Sequence, residues 1–203
     1  MKTISYFTIA GFAIAWLAGV HDIKAQTSTI NPMTNDTTKM IITRSFDAPL
    51  ERLWTAWTKD EIVKKWWGPM SFTAPVAKMD FREGGTSLVC MRSPDGFEIY
   101  NTWRYTKIVA MSRINFVQQF SDKTGKNAIK PSDIGLPPGI PDEVPHEITF
   151  KDLGNNKSEI TIIESGYTNA QIVEISRSGM ASVLDKLAAE IEGPTTEATP
   201  QKR

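Results

Sequence analysis

The strongest constraint on the fold is a change in hydrophobic spacing near residue 72. Before it, apolar residues recur at helical spacing over two short segments. After it, short alternating runs are separated by turn residues at 83–85 and 94–96, a pattern typical of an antiparallel meander. Helical spacing returns at residue 168 and continues to about residue 192. The sequence therefore predicts an α+β domain in which successive antiparallel strands precede one long helix.

Seven strands are predicted, at residues 40–46, 72–80, 86–92, 97–105, 112–120, 147–151 and 158–165. Alternation is clearest in the fourth strand, where Phe97, Ile99, Trp103 and Tyr105 share one face. The last two strands flank a Gly-Asn-Asn turn and are predicted to form a hairpin. One face of the sheet is therefore expected to be apolar.

Two short helices are predicted between the first and second strands. Pro49 suits the first turn of the first helix. Thr58 and Glu61 fit a capping box that would begin the second helix, which is expected to end at Trp67-Gly68-Pro69.

The long C-terminal helix is predicted to begin with a capping box of Thr168 and Gln171 and to end at Gly193. One apolar stripe on it, wide enough to lie across a sheet, is formed by Ile172, Ile175, Gly179, Val183, Leu187 and Ile191. Glycine costs about 1 kcal/mol of helix propensity relative to alanine. Gly179 is therefore expected to mark either a close approach to the sheet or an open space beneath the helix.

The composition is that of an ordinary globular protein. Hydrophobic residues make up 40% of the 203 residues and charged residues 23%. This length favours a single core. The 23 basic and 23 acidic residues give a formal net charge of zero, and no basic cluster follows one face. Nucleic acid is therefore not expected as a partner.

The N-terminal segment resembles an export signal. Lys2 is followed by an apolar run from Ile4 to Val20 and then by the small residue Ala25, which predicts cleavage after Ala25 and a periplasmic or secreted protein. A retained membrane anchor is the alternative, because the run is at the lower edge of spanning length. The predicted organisation is a signal peptide at 1–25, a flexible linker at 26–39, one domain at 40–193 and a disordered tail at 194–203.

A proline-rich connection occupies residues 121–145. Its five prolines predict that neither a helix nor a paired central strand runs through it. A loop of this length is either a lid or binding loop over a site, or an ordered surface excursion.

Residues that carry chemistry are scarce. His146 is the one histidine beyond the predicted signal, and it is expected at a surface or strand-edge position. Cys90, the single cysteine, is expected to be a small buried hydrophobic residue. Glu98 and Glu164 are expected on the solvated outer face. With no zinc spacing and no phosphate-binding loop, no catalytic residue, metal, nucleotide or other cofactor is predicted.

Several motifs in order along the chain resemble one family. They are Arg44-Ser45-Phe46-Asp47-Ala48-Pro49, Leu53-Trp54-Thr55-Ala56-Trp57-Thr58, Trp66-Trp67-Gly68-Pro69, Asp80-Phe81-Arg82-Glu83-Gly84-Gly85 and Ser182-Val183-Leu184-Asp185-Lys186-Leu187. Over residues 40–192 the chain resembles the activator-of-heat-shock-protein-90-ATPase-like branch of the START-like (SRPBCC, Bet v 1-like) superfamily. The resemblance implies a helix-grip fold, a curved antiparallel sheet of about seven strands wrapped on the C-terminal helix. The family usually has Gly-Trp where this chain has Gly179-Met180, so Met180 is expected either to reshape the pocket or to fill the core.

A concave apolar face with few polar groups is the usual composition of a small-molecule site. The predicted lining residues are Trp67, Phe72, Leu88, Cys90, Trp103, Phe116, Gln118, Met180 and Leu184. Gln118 is expected either to orient a polar group of the ligand or to bond to backbone. The predicted function is a carrier or sensor of a hydrophobic small molecule. The alternatives are a cyclase- or hydrolase-like enzyme using the same cavity, and a protein-interaction module related to heat-shock-protein ATPase activators.

Overall fold

A computed structural model describes residues 38–193. The predicted signal at 1–25, nearly all of the predicted linker and the predicted tail at 194–203 lie outside these residues. The chain begins with β1 (Lys39–Phe46), α1 (Leu50–Thr58) and α2 (Asp60–Trp66). The remaining strands and the last helix are β2 (Thr73–Lys78), β3 (Thr86–Arg92), β4 (Glu98–Val109), β5 (Arg113–Ser121), β6 (Glu143–Gly154), β7 (Lys157–Ser165) and α3 (Ala170–Ile191). None of the helices within 38–193 is long and apolar enough to span a bilayer.

The seven strands form one antiparallel sheet in the order β1-β7-β6-β5-β4-β3-β2. Strands β2 to β7 follow one another as a meander, and β1 joins the far side of β7. The sheet curls around α3, and α1 and α2 follow the first strand. The predicted α+β fold class and its helix-grip arrangement are confirmed.

Polar contacts tie α3 to both rims of the sheet. On the β1 side, Arg44 Nη1 lies 2.7 Å from Asp185 Oδ1. On the β2 side, Lys186 Nζ donates to the carbonyl of Phe72 at 2.7 Å. The backbone of α3 closely approaches β1, α1 and α2, but no comparable approach to β4 or β5 is found within 38–193. Large side chains therefore fill the distance between α3 and the middle of the sheet.

Two helix starts differ from the predicted capping boxes. Thr58 is the last residue of α1, where its hydroxyl donates to the carbonyl of Thr55, and Lys59 is the N-cap of α2. The N-cap of α3 is Asn169, whose side chain accepts from the backbone N–H of Ile172 at 3.0 Å. Asparagine ranks at least as high as threonine at this position, which accounts for the shift of one residue.

The prediction that no paired central strand enters the proline-rich connection is wrong. Strand β6 begins at Glu143, and Pro145 pairs with Val117 of β5. Pairing of β6 with β7 begins only at His146. Pro145 therefore lies where β6 has a neighbour on one side, so its missing N–H leaves no gap in a second ladder. One turn of 3₁₀ helix, Pro131–Ile134, also interrupts the connection.

Three residues of the predicted apolar faces behave differently in the structure. Phe97 is 42% exposed and precedes β4, and Ile175 is 50% exposed on α3. Val173, which was not part of the predicted stripe, is buried on α3 instead. A Cβ built on Gly179 would meet no atom within 4 Å, so open space, not a close approach to the sheet, surrounds this glycine.

Candidate functional site

The inner face of the sheet is the face that β4 lines with Ile99, Asn101, Trp103 and Tyr105. Strand register carries this face across the sheet, because residues that pair directly point the same way. Trp103 pairs with Ser87 and with Gln118. The same alternation places Phe116 and His146 on the inner face.

The structure brings six of the nine predicted lining residues to the inner side. Trp103, Phe116 and Gln118 lie on the inner face, and Gln118 is half-buried. Trp67, Met180 and Leu184 belong to the same buried apolar core. Phe72 is half-buried just before β2, beside Gly68. Most of the predicted lining residues therefore lie on the interior side of the sheet.

Leu88 and Cys90 lie on the opposite face of the sheet. They pair with Thr102 and Tyr100, which alternate with the inner-face residues of β4. Cys90 is nevertheless fully buried, and burial raises the pKa of its thiol to about 11. These two residues do not form one site with Trp103 and Phe116.

Four tryptophans pack together beneath the inner face. Trp57 of α1 and Trp66 of α2 have ring centroids 4.8 Å apart, and Trp67 meets Trp103 edge to face at 4.7 Å. Trp57 and Trp103 are 6.1 Å apart, which joins the two pairs. Edge-to-face and offset contacts at these distances are favourable. The cluster fixes the short helices against the centre of the sheet.

The indole N–H groups of this cluster differ in whether they have a hydrogen-bond partner. Trp66 Nε1 donates to the carbonyl of Ala56 at 2.9 Å. The Nε1 atoms of Trp57, Trp67 and Trp103 are buried and have no hydrogen-bond partner in the described structure. Buried polar groups without partners are few in native proteins. Three in one aromatic cluster therefore require an explanation.

Asn101 adds a buried amide to the same face. It is 0% exposed, and neither its Oδ1 nor its Nδ2 has a partner. It follows Ile99 and precedes Trp103 at two-residue intervals, and it pairs with Val89 and Phe120 on neighbouring strands. We call Trp57, Trp67, Trp103 and Asn101 the tryptophan–asparagine site. Asn101 was missed from the sequence, although it is the polar member of an otherwise apolar alternation.

Stacked rings connect this site to a second polar group. Phe116 stacks on Trp103 with centroids 5.0 Å apart and on His146 at 4.5 Å. His146 in turn places Nε2 at 3.0 Å from Glu164 Oε1. The predictions that His146 is at a surface or edge and that Glu164 is solvated are both wrong: they are 3% and 4% exposed. Glu98, in contrast, lies on the outer face beside Arg92.

Glu164 is the centre of a network that we call the glutamate network, formed with His146, Tyr167 and Ser176. The hydroxyls of Tyr167 and Ser176 both donate to Glu164 Oε2. Burial by itself would raise the pKa of Glu164, but the charge of His146 and the donated hydrogen bonds outweigh it and lower that pKa. Burial raises the pKa of Tyr167, which keeps its hydroxyl a donor.

Each ring nitrogen of His146 has a hydrogen-bond partner. Its Nδ1 lies 2.9 Å from the carbonyl of Val144, which can only accept, so Nδ1 carries a hydrogen. Nε2 lies 3.0 Å from Oε1 of Glu164. Both ring nitrogens of His146 therefore face an oxygen atom, and every polar atom of the His146–Glu164 pair is engaged.

The proline-rich connection lies at the same end of the sheet. It joins the end of β5 to the start of β6, next to the start of α3. The backbone N–H of Thr168 donates to the carbonyl of Gly139 at 3.1 Å, and a Cβ on Gly139 would meet Asn169 and Ile172. This loop therefore rests on the first turn of α3.

Two surface cavities lie away from the tryptophan–asparagine site. One, of about 140 Å³, is on the outer face, lined by Thr86, Thr102, Arg104, Val117, Gln119, Gly125 and Glu143. The other, of about 550 Å³ and open to solvent, is lined by Asp60, Lys78, Met79, Asp80, Thr86, Leu88, Lys123 and Thr124. Of the nine predicted lining residues, Leu88 alone lines one of these two cavities, the larger one. Neither cavity includes an inner-face residue.

A seven-stranded curled sheet with its interior facing a gripped C-terminal helix defines a START-like protein. The family model described as Activator of Hsp90 ATPase homolog 1-like protein matches residues 47–192. This protein belongs to that family, within the START-like superfamily. A search of curated protein sequences gave no significant match.

Solved structures share the fold. A solution structure of a protein from Arthrobacter aurescens has a TM-score of 0.63 at 22% identity, covering 82% of this chain and 93% of that one. A crystal structure from Chromobacterium violaceum has a TM-score of 0.63 at 23% identity, covering 77% and 99%. An AHSA1 protein from Silicibacter pomeroyi has a TM-score of 0.59 at 18% identity, covering 75% and 96%. The START-like fold is known for ligand binding.

Proposed function

We propose that this domain binds a small, largely apolar molecule at the tryptophan–asparagine site, as a carrier or sensor. The observation that carries the proposal is Asn101, a fully buried amide with neither polar atom paired. Its nearest neighbours on the inner face are apolar or aromatic, so a bound molecule would find an apolar wall with one amide on it. This is the usual composition of a small-molecule site.

The energetic argument is the cost of leaving these groups unpaired. A buried donor or acceptor without a partner costs about 1–3 kcal/mol. Three indole N–H groups and one amide in the same interior give several such costs together. A ligand that supplies the missing partners recovers them, so binding and stability are coupled.

Entry of a ligand requires side chains to move, because the tryptophans of the site are at most 5% exposed. Gln118 is half-buried next to Trp103 in the register, at the end of the sheet covered by the proline-rich connection. We propose this end as the entrance and the connection as its cover. Gly139, at φ 111°, is the point where the cover contacts α3.

The proposal includes export. The N-terminal segment outside the described residues has the pattern of a signal cleaved after Ala25. The intact mass of the protein isolated from its own host tests this directly. A chain starting at Gln26 is expected, and a full-length chain in the cytosolic fraction would contradict export.

Native mass spectrometry of the protein purified from its own host tests ligand binding. A small-molecule adduct is expected on the wild type and is expected to be lost from Asn101→Leu. Tyr100→Phe is the matched control, because Tyr100 is on the outer face of the same strand and loses one hydroxyl. Two results together would overturn the proposal. They are a wild-type protein without any small-molecule adduct, and no stabilisation of that protein by any extract of its host.

A further inference from the structure

The smaller of the two surface cavities is built from two neighbouring rows of paired residues on the outer face. Directly paired residues of a sheet point to the same side. One row is Thr86, Arg104 and Val117, on β3 to β5, and the next is Leu88, Thr102, Gln119 and Glu143, on β3 to β6. All of these except Leu88, together with Gly125, line the cavity of about 140 Å³. We call it the Arg104–Glu143 cavity, and strand register fixes the order of its residues.

A turn at the start of the proline-rich connection lies against the sheet beside this cavity. Gly125 is in that turn at φ 73°, and a Cβ built on it would meet Leu88 Cδ1 at 3.2 Å and Thr102 Cγ2 at 3.5 Å. The carboxylate of Asp122 fixes the turn, because it accepts from the backbone N–H and the hydroxyl of Thr124 at 3.0 and 2.6 Å. A ligand would therefore meet a wall that is already in place.

Two opposite charges line the cavity. Arg104 on β4 and Glu143 on β6 lie on either side of β5, so their side chains approach each other across that strand. Arg104 Nη2 is 3.8 Å from Glu143 Oε1, within reach of an ion pair but too far for a hydrogen bond. Both side chains are about half exposed, and ion pairs at such positions contribute little to stability. A ligand that separates the two charges therefore loses little.

The other lining groups are mostly polar and neutral. Thr86 adds a hydroxyl and Gln119 an amide, each able to donate and to accept, and Val117 adds an apolar surface. An anion alone would be repelled by Glu143, and a cation alone by Arg104. A molecule with both charges meets a partner for each, because its carboxylate can pair with the guanidinium and its ammonium with the carboxylate.

Size limits the ligand further. A water molecule occupies about 30 Å³ in the liquid, so a cavity of about 140 Å³ has room for roughly five non-hydrogen atoms. Glycine has this size. A larger amino acid would have to direct its side chain toward solvent.

We infer that the Arg104–Glu143 cavity binds a small zwitterion of the α-amino acid class, with the carboxylate on Arg104 and the ammonium on Glu143. This inference is independent of the proposed function, because the cavity has no residue of the inner face.

Titration of the ¹⁵N-labelled protein at pH 7 and constant ionic strength, followed in ¹H–¹⁵N spectra, tests it. The probes are glycine, L-alanine, acetate and methylammonium. Glycine and L-alanine are expected to cause saturable shifts of the backbone signals of Thr102, Gln119 and Gly125. Acetate and methylammonium each lack one charge and are expected to bind about fivefold or more weakly, since each gives up one charged hydrogen bond.

Three single substitutions locate the binding. Arg104→Gln and Glu143→Gln are each expected to weaken glycine binding about fivefold or more. Arg113→Gln is the matched control, because Arg113 is an exposed arginine of β5 that does not line the cavity, and glycine affinity should stay unchanged. All three side chains are exposed, so the variants are expected to fold.

Three results would overturn the inference. One is the absence of saturable shifts at Thr102, Gln119 and Gly125 with both amino acids. Another is acetate or methylammonium binding as tightly as glycine, which would show a site for a single charge. The third is unchanged glycine affinity in both Arg104→Gln and Glu143→Gln.

Discussion

His146 Nε2 lies 3.0 Å from Glu164 Oε1 between two strands of the inner face, and both side chains are almost completely buried. The pair bridges β6 and β7, and Ser176 extends it to α3. Removing one partner of such a pair leaves an uncompensated group in the interior. The pair therefore holds the first half of α3 to the sheet at the end where the proline-rich connection lies.

Glu164 is expected to make the free energy of unfolding depend on pH in the acidic range. Its pKa is lowered below the ordinary value of 4.5, so the unfolded chain binds its proton first as pH falls. The stabilisation is therefore complete above about pH 4.5 and is lost as pH falls through the lower folded pKa. Urea unfolding of wild type and Glu164→Gln from pH 7 to pH 3 measures this.

The variant is expected to be less stable by roughly 3 kcal/mol or more at pH 7, and the difference should shrink toward pH 3. Glu98→Gln is the control, because Glu98 pairs with Arg92 on the outer face and should change stability much less. A constant difference between wild type and Glu164→Gln at every pH would contradict a lowered pKa of Glu164.

Capping of α3 is tested by two neighbouring substitutions. Asn169→Ala removes the acceptor for the Ile172 N–H and is expected to cost about 1 kcal/mol. Thr168→Ala keeps the backbone bond to Gly139 and is expected to stay within about 0.5 kcal/mol. Thermal unfolding of both variants gives the comparison. A larger loss at Thr168 would place the cap where the sequence pattern first put it.

Cys90 is expected to be unreactive in the folded protein. The thiol is fully buried and its pKa is raised to about 11, so very little thiolate is present at pH 8. Labelling by a disulfide reagent should be slow in buffer and complete quickly in urea. Labelling within seconds in buffer would show that the outer face opens readily at β3.

Asn101→Leu is expected to separate stability from binding. In the ligand-free protein the substitution removes an unpaired buried amide and should leave the free energy of unfolding unchanged or raise it by about 1 kcal/mol. Chemical denaturation measures it. A loss of more than about 2 kcal/mol would mean that Asn101 has a structural partner and is not a binding group.

The order of elements could be predicted because alternation and helical spacing are strong over whole segments. β4 and α3 were found at nearly their correct positions for this reason. Helix starts were not, since Thr168 and Asn169 are both good caps and only the turn geometry chooses between them. Pro145 misled the prediction because a central strand can still have a one-sided segment at its end.

The interior polar groups were harder to find. Ile162 and Ile163 are adjacent, so the chain around Glu164 does not show which residues face inward. Register decides it: Glu164 pairs with His146 and shares the face of Ile162. The face of Leu88 and Cys90 was assigned wrongly for the same reason, because β3 is apolar on both sides. Which indole N–H groups lack partners depends on packing that no sequence pattern records.

The most direct test of the proposed site is the set of indole N–H signals in a ¹H–¹⁵N spectrum, recorded for ligand-free and ligand-loaded protein. Trp66 is an internal reference, because its Nε1 already donates to Ala56. We expect the signals of Trp67 and Trp103 to move on loading as their N–H groups gain acceptors, and that of Trp66 to stay in place. Unchanged Trp67 and Trp103 signals in loaded protein would contradict binding at this site.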